Sequence, residues 1–239
     1  MVAMMQSIVL LLVGFVLLIK GADFFVEGSS SVARALRIPS MIVGLTIVAM
    51  GTSLPELAVS VTASVAGNNA LAVSNVIGSN LFNLMFVCGA CALFAPLIVQ
   101  KDTLKKEIPV SVLCAVLLFV LGISGMEIGR TDGASAIAVK AGLSQNLIGL
   151  TIVAMGTSLP EFVTSVVAAR KNEVDMAFGN VIGSNIFNIL FILGVTAAIS
   201  PVTFIMENVV DSILLVLVSI LVWVFAWSRL HIEKKEGVV

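Results

Sequence analysis

The string GLTIVAMGTSLPE stands at Gly44–Glu56 and again, letter for letter, at Gly149–Glu161. A second string, NVIGSN, stands at Asn75–Asn80 and at Asn180–Asn185. Both pairs lie 105 residues apart, with no insertion between them. Across 44–83 against 149–188, 25 of 40 positions are identical, which chance does not give. The chain is therefore two copies of one unit, and it must fold as two copies of one structure packed together. Each copy sets two polar, glycine-containing interruptions inside apolar runs.

Composition says where such a chain lives. Of 239 residues, 59% are hydrophobic and 11% charged, with a mean hydropathy of +1.15. Soluble domains carry about 25% charged residues. A soluble enzyme, a nucleic-acid binder and a disordered regulator are excluded, and the lipid bilayer is the first partner. The fold class is an all-α integral membrane protein. Apolar runs predict spans near 7–34, 41–66, 70–98, 107–125, 146–169, 176–200 and 209–228. The first run has no cleavage site leading into a soluble chain and reads as a retained span.

Loop charge orients these spans. With the N-terminus on side one, side two holds ten basic residues, among them Arg34, Lys101, Arg170 and Lys171. Side one holds Arg130 and Lys140. The positive-inside rule makes side two cytoplasmic, in a cell (plasma or inner) membrane, with the N-terminus outside and the C-terminus inside. An odd number of spans separates the starts of the copies, so the second is inverted. Inverted repeats with interrupted helices mark secondary transporters whose site lies at the bilayer midplane.

The interruptions carry the chemistry. Pro55 and Pro160 lack an amide hydrogen and should break their helices, freeing carbonyls near Ala49 to Thr52 and near Ala154 to Thr157. Thr52, Ser53, Thr157 and Ser158 add hydroxyls, and Glu56 and Glu161 add charge. A carboxylate at mid-span costs at least about 2.5 kcal/mol, and neither span core holds a Lys or Arg. These glutamates are protonated or hold a cation. GSNxFN adds Ser79, Asn80, Asn83, Ser184, Asn185 and Asn188. Oxygen-only donors suit Ca2+, Na+ or Mg2+ rather than Zn2+ or Cu+. Asn75 and Asn180 could equally cap a half-helix. Lys20, Asp23 and Glu27 share a face of the first span and suggest an internal ion pair. Cys88 and Cys91 read as buried small residues, and His231 as a tail residue.

GTSLPE with a downstream GNxxGSNxFN, in inverted halves, resembles the α-repeats of the cation/calcium exchanger superfamily, specifically its prokaryotic sodium/calcium antiporters. The resemblance implies ten helices in two inverted halves and a ligand cluster. That cluster is Ala49 (carbonyl), Thr52, Ser53, Glu56, Ser79 and Asn83 from the first copy. The second supplies Ala154 (carbonyl), Thr157, Ser158, Glu161, Ser184 and Asn188. Some relatives carry Asp where Asn188 stands, so this site has one fewer negative charge. Against that pattern the chain is shortened. Residues 1–125 form a four-span first half. Residues 126–239 form a second half, with three spans behind Asp132–Ala141, which resembles the end of the sixth helix. The fifth helix, most of the sixth and the tenth are missing from the pattern.

The expected function is antiport of Na+ against Ca2+ through one site that both ions compete for, with no catalytic residue and no cofactor beyond the transported ions. A Ca2+/H+ exchanger and a shortened, ion-binding but non-transporting chain are the alternatives. An intramembrane acid protease fits poorly, since these acids are glutamates behind prolines and ringed by hydroxyls.

Overall fold

The computed structural model describes residues 2–124, 151, 153–202, 204–229 and 231–232. Residues 125–150 lie outside it, and with them the boundary near 125, Gly149, and the sixth-helix resemblance at Asp132–Ala141.

Helix α1 (Val2–Leu36) is long, apolar and exposed along most of its first half. It stops where Arg37 turns into the left-handed region (φ 54°), so that Arg37 N–H reaches Arg34 O (3.2 Å) and Ile38 N–H reaches Ala33 O (3.0 Å). Pro39 then forbids continuation. The next span is a broken pair, α2 (Ser40–Thr52) and α3 (Leu54–Val65), bent by 45° at Ser53. Pro55 in the first turn of α3 is the cause. Gly67 (φ 74°) closes α3, and the Asn68 side chain caps α4 (Asn69–Phe94) by accepting Leu71 N–H at 3.2 Å. Helix α5 (Thr103–Ile123) follows.

The second copy repeats the design. Short α6 (Ala154–Thr157) and α7 (Leu159–Arg170) break at Ser158, whose φ and ψ of −83° and 6° match the −85° and 8° of Ser53. Asn172 (φ 60°) ends α7 where Gly67 ends α3. Helix α8 (Val174–Ile199) and helix α9 (Met206–Arg229) complete the bundle. Five described helices, with the bent pair as a sixth span, are long and apolar enough to cross a membrane. The expected spans recur; the one near 146–169 is described only in its second part.

Short π-helical turns, which the sequence reading did not foresee, sit at Gly44–Val48, Thr103–Glu107, Asn83–Val87 and Asn188–Ile192. The last two begin at equivalent asparagines. Also unforeseen is a two-residue antiparallel pair, β1 (Leu97–Ile98) with β2 (His231–Ile232).

The core is the crossing of the two copies. Helix α8 lies backbone to backbone on α2. A Cβ at Gly44 would stand 2.5 Å from Met176 O, one at Gly179 2.6 Å from Met41 O, and one at Gly183 2.5 Å from Leu45 O. Small residues at such crossings let membrane helices approach. Around them α9 packs on α5, and α1 on α7. The outer faces carry exposed Leu, Val, Ile and Phe, as lipid contact requires. Polar and charged links gather at the end expected as side two. Arg34 faces Glu173 at 3.9 Å, Gln100 donates to Asp175, and β1 meets β2 there. Asp23 and Glu27 are not paired within α1. Both reach across to Lys171 Nζ, at 2.9 and 2.8 Å. The pairing crosses elements because Lys171, at the end of α7, packs beside α1.

Candidate functional site

The two broken spans and the GSN segments of α4 and α8 put the polar motifs of both copies into one buried cluster. Glu56 and Glu161 are each 0% exposed. Each glutamate is held by a serine of the other copy. Ser158 Oγ donates to Glu56 Oε1 at 2.8 Å, and Ser53 Oγ donates to Glu161 Oε1 at 2.8 Å. The exchange is reciprocal because the helix break presents Ser-x-Pro-Glu from both sides of one crossing.

The threonines obey the same exchange. Thr157 Oγ1 donates to Asn75 Oδ1 at 3.2 Å, and Thr52 Oγ1 to Asn180 Oδ1 at 3.1 Å. Asn75 Nδ2 gives its hydrogens to Ser60 Oγ (3.0 Å) and to Glu56 O (3.4 Å). Asn180 Nδ2 does likewise with Ser165 Oγ (2.9 Å) and Glu161 O (3.5 Å). Asn75 and Asn180 are thus struts between copies, with both ends of their amides occupied. Ser60 and Ser165 were missed by the sequence reading. Their signal was identity at the 105-residue offset, shared nearby only by Val61 with Val166 and Ala63 with Ala168.

Ser79 Oγ lies 3.5 Å from Glu56 Oε1 and 3.4 Å from Thr157 Oγ1. The copies differ here, since Ser184 Oγ has no partner among the described residues. The carbonyls of Ala49 and Ala154 are not freed outright. They accept Ser53 N–H and Ser158 N–H, each at 3.0 Å, since the break falls one turn later. A carbonyl keeps a second lone pair in that state.

What remains is a set of buried acceptors with nothing to accept. Glu56 Oε2, Glu161 Oε2, Asn83 Oδ1 and Asn188 Oδ1 have no hydrogen-bond partner among the described residues. They form two equivalent pairs, one acid and one amide from each copy. Buried polar atoms are otherwise almost always paired. These four oxygens, with no sulfur or imidazole orphaned beside them among the described residues, are of the donor type that hard cations take. Cys88, Cys91 and Cys114 are buried free thiols outside this cluster.

Discontinuous helices in two inverted copies around buried oxygens define a class, the multi-pass membrane transporters built on inverted repeats. The family model described as sodium/calcium exchanger protein matches this chain twice, over residues 6–133 and 129–239. CaxA of Alkalimonas amylolytica is 38% identical over 263 residues, covering 83% of this chain and 82% of that protein. Sodium/calcium exchanger MaX1 of Methanosarcina acetivorans is 28% identical over 331 residues, covering 98% of this chain and 95% of the relative. That span exceeds the 239 residues here, so the relative carries residues within it that this chain lacks. A solved structure of the sodium-calcium exchanger NCX_Mj, soaked with Na+ and Sr2+, superposes with a TM-score of 0.80 at 32% identity, over 95% of this chain and 92% of the other. The chain belongs to the sodium/calcium exchanger family, in its prokaryotic branch, and is a shortened member of it. The family is one of transporters, not of catalytic enzymes.

Proposed function

We propose that this protein is a secondary antiporter that exchanges Na+ for Ca2+ through one buried site centred on Glu56 and Glu161. The observation that carries the reading is the set of four orphaned oxygens, Glu56 Oε2, Glu161 Oε2, Asn83 Oδ1 and Asn188 Oδ1. Two negative charges and neutral oxygens offset the dehydration of a cation. Ser53, Ser158, Thr52 and Thr157 spend their hydrogens on neighbours, which turns hydroxyl lone pairs toward the bound ion. The carbonyls of Ala49 and Ala154, with Ser79 and Ser184, complete the proposed shell.

Because Ca2+ and Na+ need the same carboxylates, one excludes the other, and that competition couples their fluxes. Both ions must bind with similar strength in the outward-facing and inward-facing states, or one state traps its ion. The distribution of loop charge supports a plasma-membrane or inner-membrane location with the N-terminus outside and the C-terminus in the cytoplasm.

The test is Ca2+ uptake by proteoliposomes loaded with Na+. Uptake should require the Na+ gradient and fall to background in Glu56→Gln and in Glu161→Gln, both still folded. Uptake that follows a pH gradient and ignores Na+ would replace sodium by protons. Ca2+ binding that depends on Glu161 without flux would show a site retained in a chain that does not transport.

A further inference from the structure

Asn80 and Asn185 belong to the repeated GSN strings yet present no orphaned atom to the site. They form a clasp between the copies instead. Asn80 Nδ2 donates to Asn185 O at 3.1 Å, and Asn185 Nδ2 donates to Asn80 O at 3.3 Å. Their side-chain oxygens accept from the next asparagine of the opposite copy. Asn80 Oδ1 accepts from Asn188 Nδ2 at 3.0 Å, and Asn185 Oδ1 accepts from Asn83 Nδ2 at 3.2 Å. All four residues are at most 1% exposed.

A primary amide is ambiguous. Turned by half a revolution, it shows NH2 where it showed oxygen, and only the hydrogen-bond network fixes which. Here the network starts from an atom without ambiguity. A backbone carbonyl can only accept, so Asn185 O obliges Asn80 to point its NH2 at it. That leaves Asn80 Oδ1 facing Asn188, which must answer with its own NH2. The Asn188 oxygen is then directed the other way, and it is one of the orphaned acceptors. The same sequence runs from Asn80 O through Asn185 to Asn83.

We propose that Asn80 and Asn185 are positioning residues that lock the amides of Asn188 and Asn83 with oxygen toward the cation and NH2 away from it. Each copy thereby sets the ligand of the other. This rests on the cation site proposed above. Releasing the clasp lets Asn188 or Asn83 turn a donor toward the ion, which a cation rejects. Partners that orient a metal ligand in this way typically govern its affinity by about 10- to 100-fold.

The experiment is a calorimetric titration of the purified full chain in detergent with Ca2+ alone, the parent and Glu161→Gln giving the reference. Asn80→Ala should weaken Ca2+ binding by about 10- to 100-fold. A carboxylate has no wrong way round, so in an Asn188→Asp background the same Asn80→Ala change should alter affinity by less than about threefold. Asn185→Ala, with and without Asn83→Asp, repeats the cycle independently. Asn80→Ser replaces Asn80→Ala should the alanine variant not fold. Equal losses in both backgrounds would reduce the clasp to a structural tie and overturn the proposal. Parent-like affinity in Asn80→Ala and in Asn185→Ala would overturn it too. A parent chain with no Glu161-dependent binding would instead sink the cation-site reading on which the proposal stands.

Discussion

Glu56 and Glu161 are each tied by a serine from the opposite copy, so neither half can assemble its own carboxylate setting. The struts Asn75 and Asn180 lie one layer behind, and their amides are satisfied at both ends. Removing one takes the amide donor from a buried serine, and one of several bonds from a threonine and a helix carbonyl. Asn75→Ala and Asn180→Ala are each expected to destabilise the fold by about 1–2 kcal/mol, read as a lowered Tm in detergent without Ca2+. Glu161→Gln keeps the shape and the acceptor oxygen for Ser53, so its unfolding without Ca2+ should stay close to that of the parent. An equal loss of stability in both kinds of variant would blur the distinction between strut and ligand.

The elements are shaped by two devices, the proline break and the glycine crossing. Proline bends the α2–α3 span by 45° and brings Ser53 and Glu56 to the crossing. Glycine lets α8 and α2 come close enough for those groups to meet. A Cβ at Gly183 would stand 2.5 Å from Leu45 O and 2.7 Å from Leu45 Cα, both backbone atoms of α2. Neither can move without the helix. Gly183→Ala is expected to cost about 1–3 kcal/mol and to weaken Ca2+ binding by displacing Ser184. Gly194, further along α8, has open space among the described residues where its Cβ would go. Gly194→Ala should be neutral or stabilise by up to about 1 kcal/mol. Thermal unfolding of the two variants side by side checks the pair.

At the scale of the molecule, a ligand that binds only the folded site stabilises the whole. Ca2+ at a hundred times its Kd should add about 2.7 kcal/mol, seen as a Tm that climbs with Ca2+ in the parent and stays flat in Glu161→Gln. Helix α1 is joined to the core partly through Lys171, which reaches Asp23 and Glu27. The Glu27 and Asp23 carboxylates hold the Lys171 ammonium above the usual lysine range. A raised folded-state value means the attraction is complete below the unfolded value and is lost only as pH climbs through the raised one. Lys171→Met should therefore lower Tm slightly and by the same amount from about pH 6 to about pH 9. Added salt should shrink the difference, since the pair is solvent-accessible.

GLTIVAMGTSLPE written twice was enough to give the two copies, the proline breaks and the two glutamates, and the odd number of spans between the copies gave the inversion. Composition and proline chemistry act locally, and a repeat carries its structure with it. The spans were legible for the same reason, since a bilayer imposes length and apolarity on each segment separately. The partners were not legible. That Lys171 rather than Lys20 answers Asp23 and Glu27, that Asn75 is a strut while Asn83 keeps an orphaned oxygen, and that Asn80 accepts from Asn188 all depend on which faces meet when α8 crosses α2. Sequence by itself determined which oxygens are drawn into the membrane. Only the tertiary structure decided which of them are spent on one another and which are left without a hydrogen-bond partner, because a hydrogen bond between residues more than a hundred positions apart is fixed by helix crossing and not by spacing along the chain.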